Sequence, residues 1–332
     1  MKLFIADFRV NDQIDTSLMV AEKRLVPFRD QAKGRYLALV LVDRTGQIEG
    51  RAWENAEALA AGYEVGDLLR VTGVVEEYRE CRQVRLTALE RLGESDFDLA
   101  DFLAVSPRDR QAMAARLDQL VASVRHPGLK ALLSAFFTDP QFRRAFEEAP
   151  AAKRIHHNYL GGLLEHTLEV AELVTTVTRF APEAAGGLDR DLILTGALLH
   201  DVGKVREYRY RPLIDLTDEG KLLGHPVLGC AMVRERAAGL EPGALAPEVV
   251  LQLEHLLLTH HGELEWGAPV LPQTVEAAVL HYADLLSGRV KQYQQVAAGG
   301  NGGSGGSGVA GQATAWSPYD NLLGRRLYLG GR

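Results

Sequence analysis

The sequence predicts an α+β chain of two main domains: a five-stranded β-barrel, then an all-helical domain. Three observations predict it. Residues 17–92 hold short β-rich runs separated by turn residues. From Ser106 to about Tyr293 the apolar residues recur at helical spacing and no strand signal interrupts them. The length of 332 residues, 46% hydrophobic and 24% charged, suffices for two soluble cores.

Tyr36 to Val42 is a β-rich run, Asp43-Arg44-Thr45-Gly46 is turn chemistry, and Gln47 to Trp53 returns as the second arm of a hairpin. A short helix is expected over Glu54 to Ala61. With the β region opening at Ser17 ahead of these two, Leu68 to Val75 and Gln83 to Leu89 complete the set, the last alternating Val84, Leu86 and Ala88 against Gln83, Arg85 and Thr87. Five strands with one small helix between the third and fourth is the order of an OB-fold barrel, a frequent holder of single-stranded nucleic acid. In that reading Arg35, Arg51, Arg70, Arg82 and Arg85 line a groove, with Tyr36, Trp53 and Tyr78 as stacking surfaces for bases. The competing reading is core packing for Trp53 and a solvated face for the arginines.

The formal net charge of −7 argues against a protein that coats nucleic acid by bulk electrostatics, and within residues 1–92 acidic and basic residues nearly balance. The two cysteines, Cys81 and Cys230, are far apart, so neither a disulfide framework nor a cysteine metal pair is expected, and a reducing compartment is the easy reading. Leu3 to Ala6 is too short for a signal segment and no stretch approaches a membrane span. A cytoplasmic protein without membrane partners is expected.

The expected domains are a barrel over 1–92, an acidic connector and helical lead-in over 93–158, the helical domain proper over 159–296, a flexible Gly/Ser linker over 297–312 and a C-terminal tail over 313–332. Ser106-Pro107, His126-Pro127 and Asp139-Pro140 read as helix starts. Roughly eight helices are expected. The tail regains aromatic residues at Trp316 and Tyr319, and docking on the body or reaching a neighbouring subunit in a homo-oligomer are both open.

The chemistry centres on Leu198-Leu199-His200-Asp201-Val202-Gly203-Lys204, where an apolar helix runs into an adjacent imidazole and carboxylate. Placed on the helical pattern, His166, His200, Asp201, His260 and Asp284 fall on or beside apolar faces of four helices. Any one of them alone reads as a hydrogen-bonded core residue. Five together, each costing roughly 1–3 kcal/mol if buried without a partner, are best explained by a shared cation. His126, His255 and His281 read as structural.

These residues, with His225 in Gly224-His225-Pro226, His260-His261-Gly262 and His281-Tyr282-Ala283-Asp284, resemble the HD-domain metal-dependent phosphohydrolase superfamily. The resemblance implies one ion held by His166, His200, Asp201 and Asp284, and a second by His225 and His260, with Asp201 bridging. His261 is a further ligand or supports one. From end to end the chain is similar to the YhaM family of 3′-to-5′ exoribonucleases: a barrel, a helical connector, then Lys153-Arg154-Ile155-His156-His157 ahead of Gly161-Gly162-Leu163-Leu164-Glu165-His166. The glycine tract departs from that pattern.

The function so implied is metal-dependent 3′-to-5′ hydrolysis of single-stranded RNA, with DNA as an open second substrate, by water activated between two divalent ions about 3.5–4 Å apart. Manganese is the expected ion; a mixed nitrogen and oxygen site leaves iron, cobalt and zinc open. Asp201 fixes the spacing as a catalytic group. Lys204 either reaches the phosphate or is a helix-end lysine favoured by the dipole. His156 and His157 either edge the site or lie on the surface, and no general acid is evident. The alternatives are an HD enzyme acting on nucleotides or cyclic nucleotides, a di-iron oxygenase, and a nucleic-acid-binding protein with a structural metal.

Overall fold

The computed structural model describes residues 2–28, 30, 34–79, 81–93, 96–153, 157–180, 187–210, 214–298, 315–321 and 323–330. The chain divides into two compact units, Met1–Ala104 with Tyr210–Leu213, and Val105–Arg209 with Ile214–Arg332. His156 and the Gly/Ser tract from residue 299 lie outside the described residues.

The first unit is a closed barrel of β1 (Gln13–Pro27), β2 (Arg35–Asp43), β3 (Gly46–Ala52), β4 (Leu68–Tyr78) and β5 (Cys81–Arg91), in the order β1-β2-β3-β5-β4. α1 (Ala56–Gly62) lies between β3 and β4 in sequence, as expected. β3 and β5 pair in parallel, whereas the other pairs are antiparallel. Period-two patterning sends Leu37, Leu39 and Leu41 of β2 inward to meet Leu18, Leu69, Val71 and Val84, all at most 1% exposed. β1 begins at Gln13, four residues before the expected Ser17. The entering chain is pinned by the Asp43 side chain, which accepts from the backbone N–H of Ile5 at 2.7 Å. The acidic segment expected as a connector packs Phe97 and Phe102 against Met19 and Leu68 of this barrel.

The second unit contains α2 (Arg110–Ser123), α3 (Pro127–Phe137), α4 (Pro140–Glu148), α5 (Gly162–Thr178), α6 (Arg190–Leu199), α7 (Lys204–Glu207), α8 (Asp218–Ala238), α9 (Pro247–Thr259) and α10 (Val275–Ala297). Pro127 and Pro140 open α3 and α4 behind the caps His126 and Asp139. The start expected at Ser106-Pro107 is displaced: α2 begins at Arg110, capped by Asp109, whose carboxylate accepts from Ala112 N–H at 2.7 Å. The Ser106 hydroxyl is drawn instead to the fully buried Glu165, to which it donates at 2.6 Å. A two-residue hairpin, β6 (Tyr208–Arg209) with β7 (Asp215–Leu216), interrupts the helices where no strand was expected.

Both cysteines are free, Cys81 exposed and Cys230 half-buried. Among the described residues no helix is long and apolar enough to cross a membrane.

Candidate metal centre and nucleic-acid face

The ends of α6 and α9 make the same device. Each helix leaves carbonyls of its last turn unpaired, and each is followed at once by a histidine that turns back on them. His200 Nδ1 donates to Ala197 C=O at 2.8 Å and His260 Nδ1 to Leu257 C=O at 2.7 Å. A ring nitrogen that donates to a carbonyl carries the proton, so Nε2 of each is left with its lone pair.

The other two histidines reach the same tautomer by different partners. His225 Nδ1 lies 3.0 Å from Glu207 Oε1, which also accepts from the His225 backbone N–H at 2.9 Å. His166 Nδ1 lies 3.0 Å from Ser287 Oγ, and the one hydroxyl proton of Ser287 goes to Glu169 Oε2 at 2.8 Å, so Oγ accepts from the imidazole. Four Nε2 lone pairs are thereby aimed inward.

There they meet in pairs, His166 with His200 at 3.3 Å and His225 with His260 at 3.3 Å. Two acceptors at that distance repel unless a cation lies between them. Asp201, 1% exposed, turns one oxygen to each pair. Oδ2 lies 3.5 Å from His166 Nε2 and 3.3 Å from His200 Nε2; Oδ1 lies 3.4 Å from His225 Nε2 and 3.7 Å from His260 Nε2. Oδ1 has no hydrogen-bond partner among the described residues, and neither has His261 Nδ1. Asp284 Oδ1 completes the first group at 2.9 Å from His166 Nε2. Most of these separations match the edges of a coordination polyhedron whose metal bonds are about 2.0–2.2 Å, which gives edges of about 3.0–3.6 Å. The donor set therefore fits divalent cations, in two groups: His166, His200, Asp201 and Asp284, and His225, His260 and His261 with Asp201.

The electrostatics agree with a cation-binding role. Burial pushes His260 well down, with His261 adding to it, and burial with His225 lowers His261 to about 4, so both offer lone pairs at neutral pH. Against burial, Asp201 and Asp284 together draw His200 upward, the same pull those carboxylates would exert on a cation. Lys204, likewise against burial, holds Asp201 far below the usual carboxylate range.

Lys204 lines the cavity, 8% exposed, with Nζ 2.7 Å from Asp201 Oδ2. It is the first residue of α7, where the helix dipole disfavours a cation, so the dipole does not account for it. Asp201 does, and against burial it holds the ammonium pKa above its ordinary value together with Tyr208 and Asp284. His157 is fully buried behind His166, its ring centroid 5.2 Å away and its Nε2 3.2 Å from Glu169 Oε2. Glu165, next to it, accepts from Ser106, Tyr159 and Lys291. These carboxylates are occupied by protein donors and support His166 from outside the cation groups.

Two glycines set the backbone. A Cβ on Gly203 would stand 2.1 Å from the His225 carbonyl oxygen, so only glycine lets the His-Asp turn touch α8. Gly224, at φ +74°, breaks α8 and presents His225 at the break, with Pro226 following.

Sequence reasoning did not single out Ser287, Glu169 or Glu207. Ser287 and Glu169 each lie three residues after a cation-facing residue on the same helix, a spacing that places them on the same face. Nothing in the sequence marks Glu207. Ser287→Ala should weaken divalent-cation affinity about 10- to 100-fold, read by titrating activity against Mn²⁺, because His166 loses the acceptor that fixes its ring.

On the barrel, four of the eight expected nucleic-acid residues come together. Tyr36 and Trp53 pack at 4.7 Å between ring centroids, with Phe28 5.4 Å from Tyr36, and the Arg51 guanidinium lies 5.7, 5.9 and 5.4 Å from the rings of Tyr36, Trp53 and Tyr78. Trp53 is 37% and Tyr78 47% exposed, so these rings are not core. Arg51 is at the same time held by both oxygens of Glu49 at 3.1 and 3.2 Å, and three further arginines point to partners away from these rings: Arg70 to Asp15 at 2.7 Å, Arg85 to Glu76 at 2.6 Å, and Arg82 to the Phe8 carbonyl. Arg35 is exposed.

Comparison with known proteins fits both units. The HD domain family matches residues 163–289, and the OB-fold nucleic acid binding domain family matches residues 19–92. Among solved structures, the second OB-fold domain of replication protein A from Methanococcus maripaludis aligns at 24% identity over 29% of this chain and 98% of that one, with a TM-score of 0.23. Among curated proteins, the 3′-5′ exoribonuclease YhaM of Geobacillus sp. (strain WCH70) is 30% identical over 288 residues, 86% of this chain and 85% of that protein. With a relative matched across both units, the chain belongs to the YhaM family of 3′-5′ exoribonucleases.

Proposed function

We propose that this protein is a metal-dependent 3′-to-5′ exoribonuclease that degrades single-stranded RNA, with DNA as a further substrate, at a centre holding two divalent cations, Mn²⁺ foremost. One observation carries the two-cation part: Asp201 divides its oxygens between two pairs of imidazoles whose Nδ1 atoms are all engaged outward. His166, His200, Asp201 and Asp284 would hold one ion, and His225 and His260 with Asp201 the other, with His261 beside them. Ions so held supply Lewis acidity and lower the pKa of water enough for attack on phosphorus at neutral pH.

The protein's own groups supply the rest. Asp201 and Asp284 bring negative charge that is already ionised, and Lys204 neutralises part of it from within the cavity wall. The cavity, about 600 Å³, is of a size that takes a nucleotide. The aromatic face around Arg51 supports sequence-tolerant binding of single strands, since every base has a face to stack. The free, exposed thiol of Cys81 supports a cytoplasmic location.

The test is a denaturing-gel time course of 5′-labelled single-stranded RNA with Mn²⁺. A ladder that shortens from the 3′ end is expected. Intact RNA with metal-replete protein would move the substrate to nucleotides or cyclic nucleotides.

A further inference from the structure

α10 carries Asp284 and, one to two turns on, Arg289 and Gln292, and all three line the same cavity of about 600 Å³. Arg289 is exposed and its Nη1 donates to Gln292 Oε1 at 3.2 Å, while Gln292 itself is 6% exposed and fixed. Arginines of this unit commonly face carboxylates: Arg108 faces Glu169 at 3.0 Å, Arg190 faces Asp191 at 2.7 Å and Arg236 faces Asp139 at 2.9 Å. Among the described residues no carboxylate lies within 4.0 Å of Arg289. A guanidinium braced by a neutral amide keeps its full charge and most of its donors for an anion, and its planar fork matches phosphate.

Trp266 lines the same cavity and is 50% exposed. It ends the short 3-10 turn that closely follows His260-His261-Gly262. Its ring centroid lies 6.0 Å from that of His281, which is itself held by Nδ1 donating to the His260 carbonyl at 2.9 Å. An indole backed on a fixed imidazole and half open to the cavity is a platform for a base.

We propose that Arg289 and Trp266 form the subsite for the 3′-terminal nucleotide of the strand, the guanidinium gripping phosphodiester oxygens and the indole stacking on the base. This rests on the exoribonuclease reading and adds to it the groups that hold the end of the chain. Neither contact reads a Watson–Crick edge, so the subsite accepts any base.

Steady-state kinetics on a short 5′-labelled RNA with Mn²⁺ test it, comparing wild type, Arg289→Gln, Arg289→Lys and Trp266→Ala, with melting temperature and bound metal measured for each. For Arg289→Gln, KM should rise about 10- to 100-fold with kcat changed by less than about threefold, as the loss of a charge-assisted contact predicts. The slope of log affinity against log salt should shrink by about one. Arg289→Lys should recover part of the loss, and Trp266→Ala should raise KM about 10-fold or more. Wild-type KM and salt slope in Arg289→Gln would overturn the subsite. So would a lysine variant no better than glutamine with bound metal lost, which marks a structural role. A wild-type protein that leaves the RNA intact would instead sink the exoribonuclease reading, and shows itself before any variant is compared.

Discussion

Asp201→Ala should lower exonuclease activity by about 10³-fold or more, because it deletes the carboxylate whose two oxygens face both imidazole pairs, and ions held at such a carboxylate contribute several kcal/mol to the transition state. A second loss accompanies it. Lys204, buried with its ammonium on Asp201 Oδ2, is left as an unpaired internal charge, which costs about 3–5 kcal/mol of stability. Asp201→Ala should therefore melt at lower temperature as well as fail to turn over. The double variant Asp201→Ala, Lys204→Met should regain much of the melting temperature and none of the activity. Activity in the double variant would remove Asp201 from the centre, and an unchanged melting temperature in the single variant would mean that the pair does not exist in solution. Thermal denaturation beside the gel assay separates the two effects.

The second large effect concerns the barrel. Trp53→Ala with Tyr78→Ala should weaken binding to single-stranded RNA by about 10- to 100-fold or more, since stacking contributes about 1–3 kcal/mol per base. Turnover of a small phosphodiester such as bis(p-nitrophenyl) phosphate should stay near wild type, because both rings belong to the first compact unit and the cation centre to the second. Fluorescence anisotropy with a labelled oligonucleotide reads the first quantity. Wild-type affinity in the double variant would assign strand binding to surfaces other than the Tyr36–Trp53–Tyr78 face. Arg70→Ala, by comparison, should matter little, because its guanidinium is already engaged by both oxygens of Asp15.

That contrast shows where sequence reading stops. The five strands were legible because a β-rich run ended by turn residues, such as Tyr36 to Val42 before Asp43-Arg44-Thr45-Gly46, is a local property of the chain. Whether Arg70 and Arg85 are available to a ligand is not local. Their partners Asp15 and Glu76 sit diagonally across antiparallel pairs, and only the register of β1 with β4 and of β4 with β5 brings them there. Arg82 is lost to the Phe8 carbonyl, which lies 74 residues away along the chain and ahead of the first strand.

The helical unit divides in the same manner. His166, His200, Asp201, His260 and Asp284 stand out because a polar group on an apolar helix face conflicts with burial, and a conflict can be read from sequence. Ser287 does not conflict, since a serine in a helix needs no explanation. Its role appears only when α5 and α10 pack and place it between His166 and Glu169. The misplaced start of α2 has a related cause. Ser106 and Asp109 are both good caps, and the choice between them was made by Glu165, buried on another helix and in need of donors.

The most direct measurement is the metal content of purified, Mn²⁺-equilibrated wild-type protein and of His225→Ala, determined together with activity on RNA. With Asp201 shared between the groups of His166 and His225, wild type should carry about two ions per chain, and His225→Ala should keep about one and lose turnover. One ion per chain in both proteins, with activity intact in His225→Ala, would contradict the two-cation centre at its root.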